Sequence, residues 1–279
     1  MNSGIKIKFK EKVILYTILI VLLIVSVGPF LWLLSTALKS STENLFKFPP
    51  DLLPRHPTLE SMKSVFKTIP FMTYLINSVI IALVQVVLNV VLACLAAYPL
   101  ARMKFKGKDI IFTGILSTMM IPIQVTMIPI FVLISKIGLK NSYPGVILPF
   151  AVTAFGIFLI RQAFLTIPVS IEEAAYIDGC NAFQIWYKIL LPLIKPFIAT
   201  LAIFTFVNSW GDFLWPLLVL SDKSKYTLPL GVMDLQGTFA TDWRLIAAGA
   251  VLSMIPIIIF FIATQKYFME GATAGGVKE

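Results

Sequence analysis

Charge is what this sequence has least of. Its 279 residues include only 14 acidic and 23 basic side chains, 13% charged overall, against roughly 25% in soluble domains. With 58% apolar residues and a mean hydropathy of +0.90, a soluble globule would leave far too much apolar surface in water, whereas a bilayer takes up spans of about 20 apolar residues each. The net charge of +9 does not indicate nucleic-acid binding, because the cations lie between apolar runs and form no basic face.

Histidine and cysteine are nearly absent. His56 stands alone between Pro54 and Pro57 in a polar loop, where a solvated imidazole is expected rather than a ligand or a general base. Cys94 lies within an apolar run and Cys180 in a polar loop, so the two sit at different depths and cannot pair, and neither forms a metal site. Gly107-Lys108 is followed by Asp109, so no phosphate-binding loop is present. No nucleophile elbow or zinc-protease motif occurs. Work done by this chain must therefore draw on an ion gradient or on a partner.

Six runs are long enough to cross a membrane: Val13–Leu34, Leu75–Tyr98, Ile110–Ile134, Pro144–Phe164, Phe197–Leu220 and Leu245–Thr264. They lack the alternation of barrel strands, which predicts an all-α membrane protein with six transmembrane helices. Their only formal charges are Asp212 and Arg161, the latter close enough to a span end to snorkel. Lys6, Lys8, Lys10 and Lys12 precede the first run, and Arg102, Lys104, Lys106 and Lys108 crowd the short turn after the second. Both segments are expected in the cytoplasm, with both termini there too. Ser35-Thr36-Ala37 resembles a cleavage site, but the preceding apolar core is longer than that of a signal peptide, so an uncleaved anchor is expected. The chain divides into an N-terminus (1–12), a transmembrane domain (13–267) with a cytoplasmic loop at 165–196, and a tail (268–279).

That loop carries the most specific pattern. Ser170-x-x-Glu173 reads as a capping box opening a helix from about Ile171 to Asp178, with Gly179 at its left-handed end. Asn181 and Gln184 form a second box, opening a helix that shows Phe183, Trp186, Ile189 and Leu190 on one face before Pro192 stops it. Glu172 and Glu173 suit the positive end of the first helix, while Ala174 and Ala175 are small enough for another protein to approach closely. Composition alone leaves an idle amphipathic hairpin on the membrane equally open.

Glu173-Ala174-Ala175, then Gly179, then Ile189-x-Leu191-Pro192 resembles the EAA motif of binding-protein-dependent ABC importer permeases at every position and spacing. Four other segments are similar to the sugar-transporting branch, close to the smaller permease of maltose-type importers. They are His56-Pro57-Thr58-Leu59-Glu60, Phe71-x-x-Tyr74-x-x-Asn77-Ser78, Asn208-x-Trp210-x-Asp212-Phe213-x-Trp215-Pro216-Leu217 and Gly271-x-Thr273-Ala274-Gly275-Gly276-Val277-Lys278. Cys180 departs from the family's usual alanine.

The resemblance implies a type I ABC importer permease in the cytoplasmic (inner) membrane of a bacterial-type cell. It would be non-catalytic and free of its own cofactor, and would form a heterodimer with a homologous permease. Two cytoplasmic subunits would bind and hydrolyse ATP, and an extracytoplasmic binding protein would deliver a carbohydrate. Glu172, Glu173, Ala174, Ala175, Asp178, Gly179, Ile189, Leu191 and Pro192 would couple to the ATPase, with Glu173 facing a basic residue, and Gly275, Gly276 and Lys278 would touch it from the tail. Polar residues within spans nominate Gln85, Asn89, Gln124, Asn208 and Asp212 for the pathway, with Trp210, Phe213 and Trp215 as surfaces for sugar rings or members of an interfacial belt. Pro122 and Pro129 are positioned to kink a gating helix. Two alternatives remain: a self-sufficient carrier or channel, and an ABC permease for another solute such as a polyol or glycerol phosphate.

Overall fold

The structure, a computed structural model, describes residues 9–237 and 241–274. Among them there is no strand. The helices are α1 (Phe9–Leu38), α2 (Glu60–Thr68), α3 (Phe71–Arg102), α4 (Lys108–Thr118), α5 (Ile123–Lys136), α6 (Tyr143–Ile147), α7 (Ala154–Thr166), α8 (Val169–Ile177) and α9 (Ala182–Gln184). A π-helical segment (Ile185–Leu190) follows, then α10 (Leu191–Leu193), α11 (Lys195–Gly211), α12 (Leu214–Val219), α13 (Leu228–Met233) and α14 (Trp243–Ala274).

Three helices, Phe9–Leu38, Phe71–Arg102 and Trp243–Lys266, are long and apolar enough to cross a membrane unbroken. The other predicted spans are bent. α4 and α5 meet at 99° where Pro122 opens α5, and α6 with its 3₁₀ extension meets α7 at 45°. Pro129 is instead carried inside α5. The predicted run Phe197–Leu220 divides after Gly211, because Asp212 turns extended and its carboxylate accepts the Trp215 N–H at 3.3 Å, starting α12. α14 continues to Ala274, so Gly271–Ala274 extend an existing helix rather than form one of their own. Propagation adds a hydrogen bond per residue without a new nucleus and carries a helix through isolated glycines.

The chain forms two units. One comprises α1, α2 and residues 232–254. Here the segment after α1 folds back: Ser35 Oγ donates to the Leu52 carbonyl and Lys39 Nζ to that of Asp51, both at 2.6 Å. The Glu43 carboxylate accepts backbone N–H groups from Arg55 and His56, each at 3.1 Å, and from Ser40 at 3.3 Å. These bonds hold it below the usual carboxylate range, against a smaller opposing effect of desolvation. The His56 side chain is exposed.

The other unit is built on α3, packed chiefly against α7 and α11. Near the start of α3, Phe71-x-x-Tyr74-x-x-Asn77-Ser78 faces residues 224–231. Asn77 Nδ2 donates to the Ser224 and Tyr226 carbonyls at 2.9 Å, and Ser78 Oγ accepts the Leu228 N–H at 2.7 Å. Tyr74 lies so close to Gly231 that no Cβ fits between them. This recurrent segment is thus a clasp for a distant loop.

Candidate functional site

One side of the hairpin at 169–193 is built into the core. Ala175 of α8 and Ile185 and Leu190 of the π-helical segment share one cluster with Ala97 and Leu100 of α3 and Ile160 and Phe164 of α7. The Asn181–Gln184 capping box forms with both bonds at 2.9 Å, and Gly179 adopts φ +83°. The Ser170–Glu173 box does not form: α8 starts at Val169 behind Pro168, with no side-chain cap. Proline has no N–H to satisfy and its fixed φ starts the first turn, so Ser170 already lies inside the helix.

In the predicted second helix, the five-residue hydrogen-bonding period of the π segment turns the buried face. Ile185 and Leu190 are covered, Trp186 and Ile189 are half-buried, and Phe183 is 66% exposed. Pro192 does not end this helix but sits in the first turn of α10; the chain bends by 75° after Leu193.

Within this chain it is Glu172 that faces a basic side chain. Arg102 Nε lies 2.7 Å from Glu172 Oε1, with the two side chains 9% and 10% exposed, and Arg102 Nη2 donates to the Ile167 carbonyl at 2.6 Å. Burial pushes the Glu172 carboxyl up from the usual range and the Arg102 charge pulls it back. Helical spacing explains the difference: Glu172 and Ala175 lie three apart on the covered face, leaving Glu173, Ala174, Tyr176 and Ile177 on the open one, Ile177 86% exposed. Asp178 and Gly179 are also exposed.

The surrounding cations close helix ends. Arg161 is held by protein groups. Its Nε donates to the Leu100 carbonyl at 2.9 Å and its guanidinium stacks 3.9 Å from the Phe112 ring centroid. Lys108 Nζ donates to the Ala101 and Met103 carbonyls at 3.1 and 3.2 Å.

A cavity of about 770 Å³ lies between α3, α5, α7 and α11, within the size range of small-molecule sites. Gln85, Asn89, Asn208 and Asp212 line it, joined by Thr153 and Phe204. Sequence reading does not single out those last two, because an ordinary threonine and phenylalanine in an apolar run carry no signal of which way they face. Asn89, only 1% exposed, is mainly a clip. Its Oδ1 accepts the Thr153 N–H at 3.0 Å and its Nδ2 donates to Thr205 Oγ1 at 2.8 Å, joining α3, α7 and α11.

Gln124 is exposed elsewhere. Trp210 is buried against Phe206 with ring centroids 5.6 Å apart, and Phe213 packs on the cluster around Trp215. Trp215 borders the cavity fully buried, its indole N–H donating to the Gly145 carbonyl at 3.2 Å. Trp210 and Trp215 are buried and Phe213 is half-buried.

The family model for the binding-protein-dependent transport system inner membrane component matches residues 89–271. This chain belongs to that family. Among these permeases it is 38% identical over 260 residues to the arabinooligosaccharides transport system permease protein AraQ of Halalkalibacterium halodurans, covering 91% of this chain and 92% of the other. It is 33% identical to the sulfoquinovosyl glycerol transport system permease protein SmoH of Agrobacterium fabrum, covering 99% and 98%. A chain from the crystal structure of a bacterial ABC transporter involved in the import of the acidic polysaccharide alginate superposes with a TM-score of 0.81 at 25% identity, covering 92% and 96%. The all-helical architecture is thus that of an ABC importer permease, an integral membrane protein. The matched family region takes in the hairpin and every lining residue of the cavity except Gln85. Gly275, Gly276 and Lys278, like Lys6 and Lys8, lie outside the described residues.

Proposed function

We propose that this permease is one of two homologous transmembrane subunits of an ATP-driven importer for a carbohydrate. It crosses the inner membrane six times, with the segments before the first span and after the last in the cytoplasm. Two ATPase subunits bind and hydrolyse ATP, and an extracytoplasmic binding protein supplies the solute. Saccharide cargo is supported by the relatives named for arabinooligosaccharides and for a sugar-bearing glycerol, and by the fold match to an alginate importer.

The observation that carries the coupling role is the two-sided hairpin. Glu172 and Ala175 anchor α8 in the permease core, while Glu173, Ala174, Tyr176, Ile177 and Gly179 are left open for another protein. Ala175 is therefore small for packing within this chain, and Ala174 for the approach of the ATPase. Asp178 belongs to the open side; Ile189 and Leu191 hold the hairpin's far end against the core, and Pro192 is exposed beside them in the first turn of α10. Gly275, Gly276 and Lys278 extend the ATPase contact from the tail. The cavity serves as this subunit's half of the pathway, with Gln85, Asn208 and Asp212 as its polar wall.

Reconstitution tests the reading. Proteoliposomes holding the purified complex should take up radiolabelled arabinooligosaccharide only with binding protein outside and ATP inside. Uptake by this chain alone under an ion gradient would refute it, and uptake of glycerol phosphate but no saccharide would correct the cargo.

A further inference from the structure

α8 is a short helix hung between two joints that cannot transmit torque. Before it, Ile167 and Pro168 are extended, with ψ of 128° and 137°; after it, Gly179 turns at φ +83°. Helical continuity with α7 is thus interrupted, and non-covalent contacts set the orientation of α8. One is the packing of Ala175. The other is Arg102, where three helix ends meet. It is the last residue of α3, its Nη2 holds the carbonyl of Ile167 at the end of α7, and its Nε faces Glu172 in the first turn of α8.

A buried ion pair contributes little net stability over apolar residues of the same volume. What it supplies is position: the hydrogen bond from Nη2 to the Ile167 carbonyl fixes the guanidinium, and Nε, without forming an aligned hydrogen bond, holds the Glu172 carboxylate 2.7 Å away by charge, unlike two hydrocarbon chains that slide. The charges also suit the helix ends they occupy, a cation at the α3 C-terminus and an anion at the α8 N-terminus. Arg161 and Lys108 close the neighbouring α3 carbonyls, so the α3 end does not fray under load.

We propose that the Arg102–Glu172 pair makes α8 and α3 move as one lever, so that displacement of α8 reaches Gln85 and Asn89 on the cavity wall, about 20–26 Å along the same helix. The pair is a positioning device: it touches neither solute nor nucleotide. The inference rests on the reading of α8 as the ATPase-contacting helix.

The test uses the assembled complex in lipid nanodiscs, with Cys94→Ser and Cys180→Ser and spin labels attached through Leu92→Cys on α3 and Ile177→Cys on α8, both at exposed positions. With Arg102 and Glu172 intact, the interlabel distance should be the same in nucleotide-free and ATP–vanadate states. With Arg102→Gln it should broaden and shift between them. In parallel, without spin labels, N-ethylmaleimide alkylation at Gln85→Cys should change about tenfold on ATP–vanadate trapping with the pair intact and hardly at all with Arg102→Gln, within the range of substitutions along a coupling path. Arg102→Gln with Glu172→Gln should be no worse than Arg102→Gln alone.

Should Arg102→Gln fail to accumulate, Glu172→Gln, which preserves shape, carries the same measurements. An intact-pair distance that moves by several ångströms between states, or an Arg102→Gln complex that still transmits the change to position 85, would overturn the lever. A complex that assembles without α8 contacting the ATPase, seen as no crosslink from Ile177→Cys to the ATPase subunits, would instead remove the reading beneath it, and the lever with it.

Discussion

Gly231→Ala is the sharpest stability test of the clasp between α3 and residues 224–231. A Cβ at Gly231 would stand 1.9, 2.3 and 2.8 Å from Cδ2, Cε2 and Cγ of Tyr74, where ordinary contact begins near 3.4 Å. Relief requires about 1.5 Å of movement by an aromatic ring that is 1% exposed, or retreat of α13. Retreat would stretch the 2.7 Å bond from the Leu228 N–H to Ser78 Oγ. Overpacking of this kind costs about 1–3 kcal/mol, and the depth of the overlap places it at the upper end. At about 2–4 °C per kcal/mol for a chain of this size, the melting midpoint should fall by roughly 5–10 °C. Fluorescence-detected size exclusion of the heated complex measures it. Repeating the substitution with Tyr74→Val, which vacates the space, should reduce the decrement to less than half. A Gly231→Ala complex with the native midpoint, or an equal decrement in both backgrounds, would refute the steric argument.

A Cβ on Gly179 would meet no heavy atom within 4 Å, so substitution there strains the backbone without a clash. Gly179→Leu should cost about 1–2 kcal/mol and reduce the ATPase co-purifying with the permease, whereas Gly179→Asn should retain it; equal recovery from both would count against a left-handed requirement. Asn89→Leu orphans the buried Thr153 N–H and should lower complex stability by about 2 kcal/mol. Adding Thr205→Val should then cost less than it does alone, since its bond to Asn89 is already gone and only its local bond to the Leu201 carbonyl remains to be lost, and full additivity in a thermal-shift cycle would contradict the clip. Because the Glu43 carboxyl is held below the usual 4.5 in the folded chain, its contribution is complete above that value and lost as pH falls through its lowered one. Hydrogen-exchange protection factors in residues 39–59, referred to the intrinsic rate at each pH, should fall on acidification below about pH 4.5, and in Glu43→Ala should be low at every pH. Protection factors in the native chain that do not change with acid would remove Glu43 as the loop's anchor.

Much of the architecture was legible because hydrophobicity is a local property summed over a window. The three unbroken spans lie where their apolar runs lie, and the Asn181–Gln184 box formed because both partners are three residues apart on one turn. Bends were harder to read. Pro122 marks the break between α4 and α5, yet Pro129 is carried inside α5 and Pro192 sits in the first turn of α10, where its missing N–H has no intrahelical partner to lose. The Ser170–Glu173 pattern met the spacing of a capping box, but Pro168 began the helix earlier and left Ser170 with no end to cap. Among the pathway candidates, Gln85, Asn89, Asn208 and Asp212 reach one cavity, while Gln124, Trp210 and Phe213 do not, because neighbouring positions in a helix face different sides.

Residue order alone makes this an apolar, helical membrane chain with a polar hairpin bearing the EAA pattern, since span length, charge scarcity and motif spacing can all be counted along the chain. The division of labour between neighbours came from the fold. Glu172 turns inward to Arg102 while Glu173 faces out, Ala175 is core while Ala174 is surface, and the Phe71–Ser78 segment is a clasp for a loop some 150 residues away along the chain. Those assignments depend on which face of a helix meets which distant carbonyl or ring, and the only information that fixes them is packing in three dimensions.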